Sequence, residues 1–321
     1  MGDPAGIGPE VTAKAWLALR GGSESFCVLG DPSLYSDVPT QIITDLSDTR
    51  AIFGEALPIF AGFTTKACKP GQPQAHHAEL ILKSIEQGVD LVGCGAAKAL
   101  VTAPIAKSVL LEAGFTHPGH TDYLGELTAQ MPFDQTRGPI MMLCVEGLRV
   151  VPVTVHCALA QVSARLTTQS IVQAALVTHE ALKRDFGLSE PRLVIAALNP
   201  HAGEDGAFGD EEGRIIAPAV QELAARGIKA IGPLPADSLF HADARANYDA
   251  VICMYHDQAL IPLKTLDFWG GVNVTLGLPI IRTSPDHGTG FDIAGRGIAR
   301  VDSMVAAIQQ AARMADWRAR P

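Results

Sequence analysis

Three histidines each stand at the end of an apolar run: His156 closes "RVVPVTVH", His201 closes "RLVIAALNPH" and His256 closes "DAVICMYH". Neutral imidazole suits zinc and related divalent ions, and three protein ligands leave coordination positions open for a substrate. The bland reading is three unrelated histidines that cap strands or bond to backbone. Spacing does not choose between the two, because ligands drawn from distant segments leave no local pattern. The stretch "NPHAGEDGAFGDEE" around His201 is rich in Gly, Asn and carboxylates. That composition suits either a shaped polar loop whose acids orient a ligand or a solvated one. His256 is followed at once by Asp257, and Lys264 lies further along "YHDQALIPLK". A metal ligand, a second carboxylate and a cation would then share one strand end.

A second set of residues could grip an anion. Lys264, Asn273 and Arg282 combine a mobile point charge with a planar fork of donors. His120 and Thr121 open a candidate helix in "HPGHTDYL", where unpaired N–H groups favour an anion and Thr121 could also serve as the N-cap. The glycine-dense "DHGTGFDIAGRGIA" lets backbone approach a flat or phosphorylated ligand. Gly288, Thr289 and Asp292 are its candidate cofactor contacts, Asp292 as acceptor from a ribose hydroxyl. Gly6 and Gly8 of the opening "MGDPAGIGPE" are further candidates, although their spacing is not the dinucleotide fingerprint. A strand is expected before such a turn. The chain starts at the turn instead, either cut short or beginning unusually.

These residues need a scaffold that brings distant strand ends together. Strand candidates "SFCVLG", "ALVTAP", "IMMLCV", "RVVPVTV", "RLVIAAL" and "DAVICMY" alternate with amphipathic helix candidates such as "EVTAKAWLALR", "AELILKSIEQGV" and "TTQSIVQAALVTHEALKRDF". The alternation predicts an α/β fold with a largely parallel sheet covered by helices. In such folds polar function gathers at the carboxyl ends of strands. The Pro/Gly-rich break after "GHTDYLGELTAQ" and the return through "WGGVNVTLGLP" suggest two lobes around a cleft. The expected division is 1–125 plus 275–321 as a discontinuous cofactor-side lobe, and 126–274 as an inserted middle lobe.

Composition narrows the function. The 321 residues are 47% apolar and 18% charged, a globular balance. A net charge of −9 argues against nucleic acid, which needs a broad basic surface. It does not oppose one small anion held by a few converging cations. No apolar run approaches the roughly 20 residues a membrane span needs, and no signal peptide is visible. The six cysteines form no C-x-x-C pair, which favours buried free thiols in a reducing compartment. The expectation is a soluble cytoplasmic protein.

Taken together, "GDPAGIGPE", "TAPIAK", "PGHTDYL", "NPHAGEDGAFGDEE", "YHDQALIPLK" and "VNVTLGLPIIRTSPDHGTGFDIAGRGIA" run in order from Gly2 to Ala299. The set closely resembles the 4-hydroxythreonine-4-phosphate dehydrogenase family. The resemblance implies an isocitrate/isopropylmalate dehydrogenase-like fold of two α/β lobes with the site in the cleft. It implies a homodimer, built through the middle lobe, with each site completed across the interface. A divalent metal (Zn, Mg, Mn or Co) would be held by His156, His201 and His256. Substrate contacts would be His120, Thr121, Lys264, Asn273 and Arg282, with NAD or NADP at the "HGTGFDIAG" loop. The implied reaction oxidises a phosphorylated hydroxy acid such as 4-phosphohydroxy-L-threonine and then decarboxylates it, within pyridoxine biosynthesis. Lys264, or a water held by Asp257, would accept the proton. Ala106 departs from the family, where Asn is common, and "FDIAGRGIA" is more similar to a second branch acting on threonate- or erythronate-type phosphates. Relatives that oxidise aromatic cis-dihydrodiol dicarboxylates share these motifs. A metal-dependent phosphohydrolase and a non-catalytic phosphate sensor are the rivals from other classes.

Overall fold

The computed structural model describes residues 1–117 and 119–320. Its strands are, in chain order, β1 (Val28–Leu29), β2 (Thr40–Ile43), β3 (Leu57–Phe60), β4 (Leu100–Val101), β5 (Ile140–Val145), β6 (Leu148–Pro152), β7 (Leu193–Ala196), β8 (Ala230–Leu234), β9 (Ala250–Cys253), β10 (Val272–Leu276) and β11 (Arg282–Pro285). The chain divides into two units. The first is Met1–Pro132 with Pro279–Ala315; the second is Phe133–Leu278 with the last residues from Asp316.

In the first unit, β1, β3 and β2 form a small parallel sheet in that order. β4 and β11 pair in parallel, with Arg282 opposite Leu100. The core gathers Trp16, Leu57, Ile59, Met304 and Ile308. Trp16 can be fully buried because its indole N–H donates to Phe53 O at 2.7 Å.

The second unit carries six strands in the order β10-β5-β6-β9-β7-β8. β6, β9, β7 and β8 run parallel, as expected, but β5 is antiparallel to both β6 and β10. The sheet is thus largely parallel, as expected, with β5 as its antiparallel member. Only Glu146 and Gly147 separate β5 from β6. A two-residue link closes a hairpin, whereas a parallel crossover needs a dozen residues or more. Gly147, at φ +75°, supplies the turn. One register row runs Asn273, Leu143, Val150, Val251, Val194. Its four apolar members share a core with Leu260 and Leu263 of the helix His256–Leu266. Asn273 therefore ends the row on the face that this helix covers.

The helix Thr168–Phe186 begins at a reciprocal Thr167–Ser170 capping box and ends at Gly187, φ +69°. Its Asp185 accepts paired N–H groups from both Arg184 and Arg318 at 2.6–3.1 Å. Burial alone would raise this carboxyl, but the two guanidinium groups outweigh it and hold the pKa below the ordinary value. The folded pKa thus lies below the unfolded one. The stabilisation is present above about pH 4 and declines as pH falls through the folded value. Asp185→Asn is expected to cost about 3 kcal/mol at neutral pH and little in strong acid; urea melts at the two pH values measure this.

No helix among the described residues is long and apolar enough to cross a membrane. The cysteines are all free. Only Cys144 and Cys253 are buried and Cys94 is exposed, so the expectation of mostly buried thiols is corrected. Cys27, Cys68 and Cys157 lie just outside strands or in loops, and Cys94 caps the helix Ala78–Gly93.

Candidate active site

The topology explains how remote histidines meet. β6, β9 and β7 are consecutive parallel neighbours, and each is followed by one of the three histidines. Beyond the ends of β6 and β9, Val153 N and Thr154 N still bond to Cys253 O and Met254 O, and Thr154 Oγ1 donates to Met254 O at 2.7 Å. These bonds keep the β6 and β9 ends side by side. His156 and His256 consequently face each other with ring centroids 6.3 Å apart. Two imidazoles on one tetrahedral zinc would sit about 5 Å apart, so a small closure suffices.

His256 is the first residue of its helix, and its Nδ1 lies 2.6 Å from Asp257 Oδ1. A carboxylate there fixes the Nδ1–H form and leaves the Nε2 lone pair for a metal. The helix start is stapled by the buried Gln258, which accepts from Met254 N and donates to Ala197 O, both at 2.7 Å. Gln258 is a positioning residue that sequence reading missed; only its placement between two apolar stretches hinted at burial. Pro262 inside this helix removes one backbone donor, which hides the helix in the sequence. Lys264, in its last turn, holds its ammonium 5.1 Å from the Phe268 ring centre. Asn273 Oδ1 is shielded from solvent and meets no partner among the described residues.

His201 sits in a strained loop. His201, Ala202, Gly203, Glu204 and Asp205 have φ of +52, +55, +81, +42 and +53°. Non-glycine residues rarely adopt this left-handed region, at roughly 1–2 kcal/mol each. Strain of this kind persists only where the surroundings over-determine it. Here the buried Glu212 does so: Oε1 accepts from Leu198 N and Asn199 N at 2.9 and 2.7 Å, and Oε2 accepts from Asn199 Nδ2 at 2.9 Å. Asn199 Nδ2 also donates to Glu211, which accepts from Ser163 Oγ. Those hydrogen bonds, from Ser163 first, hold the Glu211 carboxyl below its usual range. Glu211 and Glu212 are therefore built into the loop, whereas Glu204, Asp205 and Asp210 are exposed to solvent. A Cβ on Gly203 would meet Glu212 Oε2 at 2.7 Å and Gly209 O at 3.1 Å. Gly203→Ala is expected to cost at least about 1 kcal/mol and to displace the segment that carries His201. Thermal melts test the stability cost.

The His201 ring lies 6.1 Å from Phe208. Among the described residues no group of three or more His, Cys, Asp or Glu side chains is close enough to hold a metal ion. One chain thus brings His156 and His256 together and places His201 on the neighbouring strand end without closing the trio.

In the first unit Arg282 is 4% exposed, and burial pushes its pKa down to about 10. Its Nη2 lies 3.2 Å from His120 Nδ1. Burial, then the Arg282 charge, keeps His120 well below the usual histidine value. His120 and Thr121 are the first two residues of the helix His120–Leu127. Gly119 is the N-cap residue and makes no side-chain bond, so Thr121 is not the cap. A buried guanidinium beside a neutral imidazole at a helix start is suited to an anion.

The glycine turn and the 288–292 loop are knit together. Ile7 N donates to Thr289 O at 2.8 Å, and a Cβ on Gly6 would lie 2.8 Å from that oxygen. Gly8 packs on Ala103. Both glycines are buried, so the close approach they permit is to the protein's own chain. Gly288 and Asp292 are exposed, with Thr289 half-buried between them.

The sequence profile of the family described as pyridoxal phosphate biosynthetic protein PdxA matches residues 24–311. A 4-hydroxythreonine-4-phosphate dehydrogenase of Caulobacter vibrioides is 57% identical, covering 99% of this chain and 96% of that protein. One from Maricaulis maris is 50% identical, covering 99% and 97%. The crystal structure of the Klebsiella pneumoniae 4-hydroxythreonine-4-phosphate dehydrogenase superposes with a TM-score of 0.87 at 39% identity, covering 98% of this chain and 96% of that one.

Proposed function

The chain belongs to the pyridoxal phosphate biosynthetic protein PdxA family, and from that premise we propose that it is a metal-dependent, NAD-linked dehydrogenase. Its substrate is a phosphorylated hydroxy acid, 4-phosphohydroxy-L-threonine, which it oxidises at a CH–OH carbon and decarboxylates. The observation that carries the reading is the pair His156 and His256, 6.3 Å apart, with Asp257 orienting the second.

His156, His256 and His201 would hold the divalent metal, and the donor set fits: neutral imidazoles, one already committed by a carboxylate to Nε2 ligation. The metal would supply acidification of the substrate hydroxyl, and the nicotinamide would serve as hydride acceptor. The chain's own side chains do the rest. Lys264 takes the hydroxyl proton at Nζ; Asp257, already engaged with His256, acts as orienter rather than base. Loss of carbon dioxide from the resulting β-keto acid leaves negative charge on oxygen, which Lys264 stabilises and then protonates. Arg282, His120 and Thr121 take the phosphate, with Asn273 as a further polar contact. Gly288, Thr289 and Asp292 meet the nicotinamide cofactor, with Gly6 packed against Thr289 and Gly8 against Ala103 in the turn beside that loop.

We assign the α/β fold to the isocitrate/isopropylmalate dehydrogenase-like class and the assembly to a homodimer that shares its metal ligands. The incomplete trio within one chain supports this. So do exposed apolar residues at the end of the lysine-bearing helix, Ile261, Phe268 and Trp269, at 63, 58 and 49% exposure. Nicotinamide chemistry and free thiols support a cytoplasmic place. The test mixes protein, 4-phosphohydroxy-L-threonine, NAD and zinc, magnesium or manganese. Reduced nicotinamide should appear and vanish with chelator. Release of inorganic phosphate without reduced nicotinamide would overturn the reading in favour of a phosphohydrolase.

A further inference from the structure

Arg282 owes its direction to a residue on the adjoining strand. Leu100 and Arg282 are register partners in the parallel pair β4/β11, so Thr102, two residues past Leu100, shares their face of the pleat. Thr102 N bonds to Thr283 O at 3.0 Å and carries the ladder one step further. Its hydroxyl oxygen accepts from Arg282 Nη2 at 2.6 Å and from Nε at 3.2 Å. The same Nη2 approaches His120 Nδ1. An arginine nitrogen only donates, so Nδ1 must offer its lone pair, and the single proton of the neutral ring sits on Nε2. That Nε2 is shut off from solvent and has no partner among the described residues.

We propose that Thr102 is the positioning residue of the anion subsite: by receiving two N–H groups of Arg282 it fixes the guanidinium, and through it the Nε2–H form of His120, so that an anionic ligand oxygen meets both donors. The proposal rests on the reading of Arg282 as an anion holder. A carboxylate at position 102 would hold the arginine more tightly but offset its charge. A hydroxyl oxygen accepts the hydrogen bonds and leaves the charge for the ligand.

Thr102→Val keeps the shape and removes the acceptor, whereas Thr102→Ser keeps it. With NAD and metal present, Thr102→Val is expected to raise KM for the phosphorylated substrate roughly 10- to 100-fold with little change in kcat; Thr102→Ser stays within about threefold of wild type. Long-range proton–nitrogen NMR of the histidine rings, with His120 assigned by its absence in His120→Gln, gives a readout independent of turnover. Wild type and Thr102→Ser should show the Nε2–H form and shift on titration with inorganic phosphate. Thr102→Val should show mixed tautomers and need more phosphate. Unchanged KM and tautomer in Thr102→Val overturns the proposal. So does a wild-type His120 carrying its proton on Nδ1, which decides the matter even if the valine variant fails to fold. Absence of any dehydrogenase turnover would instead strike the functional reading, leaving the tautomer and phosphate titration to judge Thr102.

Discussion

His256→Ala is expected to abolish metal-dependent turnover while the chain stays folded. The His256 side chain is 38% exposed, so its removal forfeits little packing. The helix start keeps its staple through Gln258. Under the proposed ligand role the fall in activity should exceed the roughly 100-fold that removing an outer-shell partner costs. Asp257→Asn supplies that lesser comparison, at about 10- to 100-fold. Circular dichroism, zinc titration and turnover with added metal form the measurement; full activity in chelator would defeat the metal role. The same variant probes the assembly. If His201 and His256 serve one site from different copies, mixing inactive His201→Ala and His256→Ala proteins restores one sound site in half of the dimers, about a quarter of wild-type activity. A mixture as dead as its components would place all the ligands in one chain.

Arg282→Met should separate function from stability. The guanidinium is buried, and burial has already lowered its pKa to about 10. Replacing the buried charge by an apolar side chain removes its desolvation cost, while Thr102 Oγ1 and His120 Nδ1 lose their donor, and the two effects oppose each other. Binding a phosphate is different: losing a close charge pair there costs about 2–5 kcal/mol, a rise in KM from about 30-fold to several thousandfold. The expected result is a melting temperature within a few degrees of wild type beside a steeply raised KM. An unchanged KM would remove Arg282 from the anion site.

What the sequence made legible follows from how local each signal is. The helix Thr168–Phe186 announces itself through Thr167, Ser170 and Gly187, all within a turn of its ends. The strands before His156, His201 and His256 are apolar enough to read directly. β8 was hidden because "AIGPL" contains Gly232 and Pro233, which argue against a strand; it is tolerated at the end of the sheet order. The helix after His256 was obscured by Pro262. The strand-end histidines and Arg282 stood out by residue type. Gln258, Glu212 and Thr102 did not, because each acts through a fold-built contact: two bonds that tie strand ends, a loop collar and an arginine rest. Nothing near them in sequence announces such a duty.

The reversed-handed stretch from His201 to Asp205 has a consequence for anyone who would toughen this protein. Exchanging Ala202 or Asp205 for glycine relieves a steric conflict worth about 1 kcal/mol at each position, so a screen for heat resistance should find these sites early. The same exchange frees the segment to wander, and the imidazole it presents would no longer arrive pre-aimed. Heat-hardened variants picked there should be weaker catalysts, and their metal should dissociate faster.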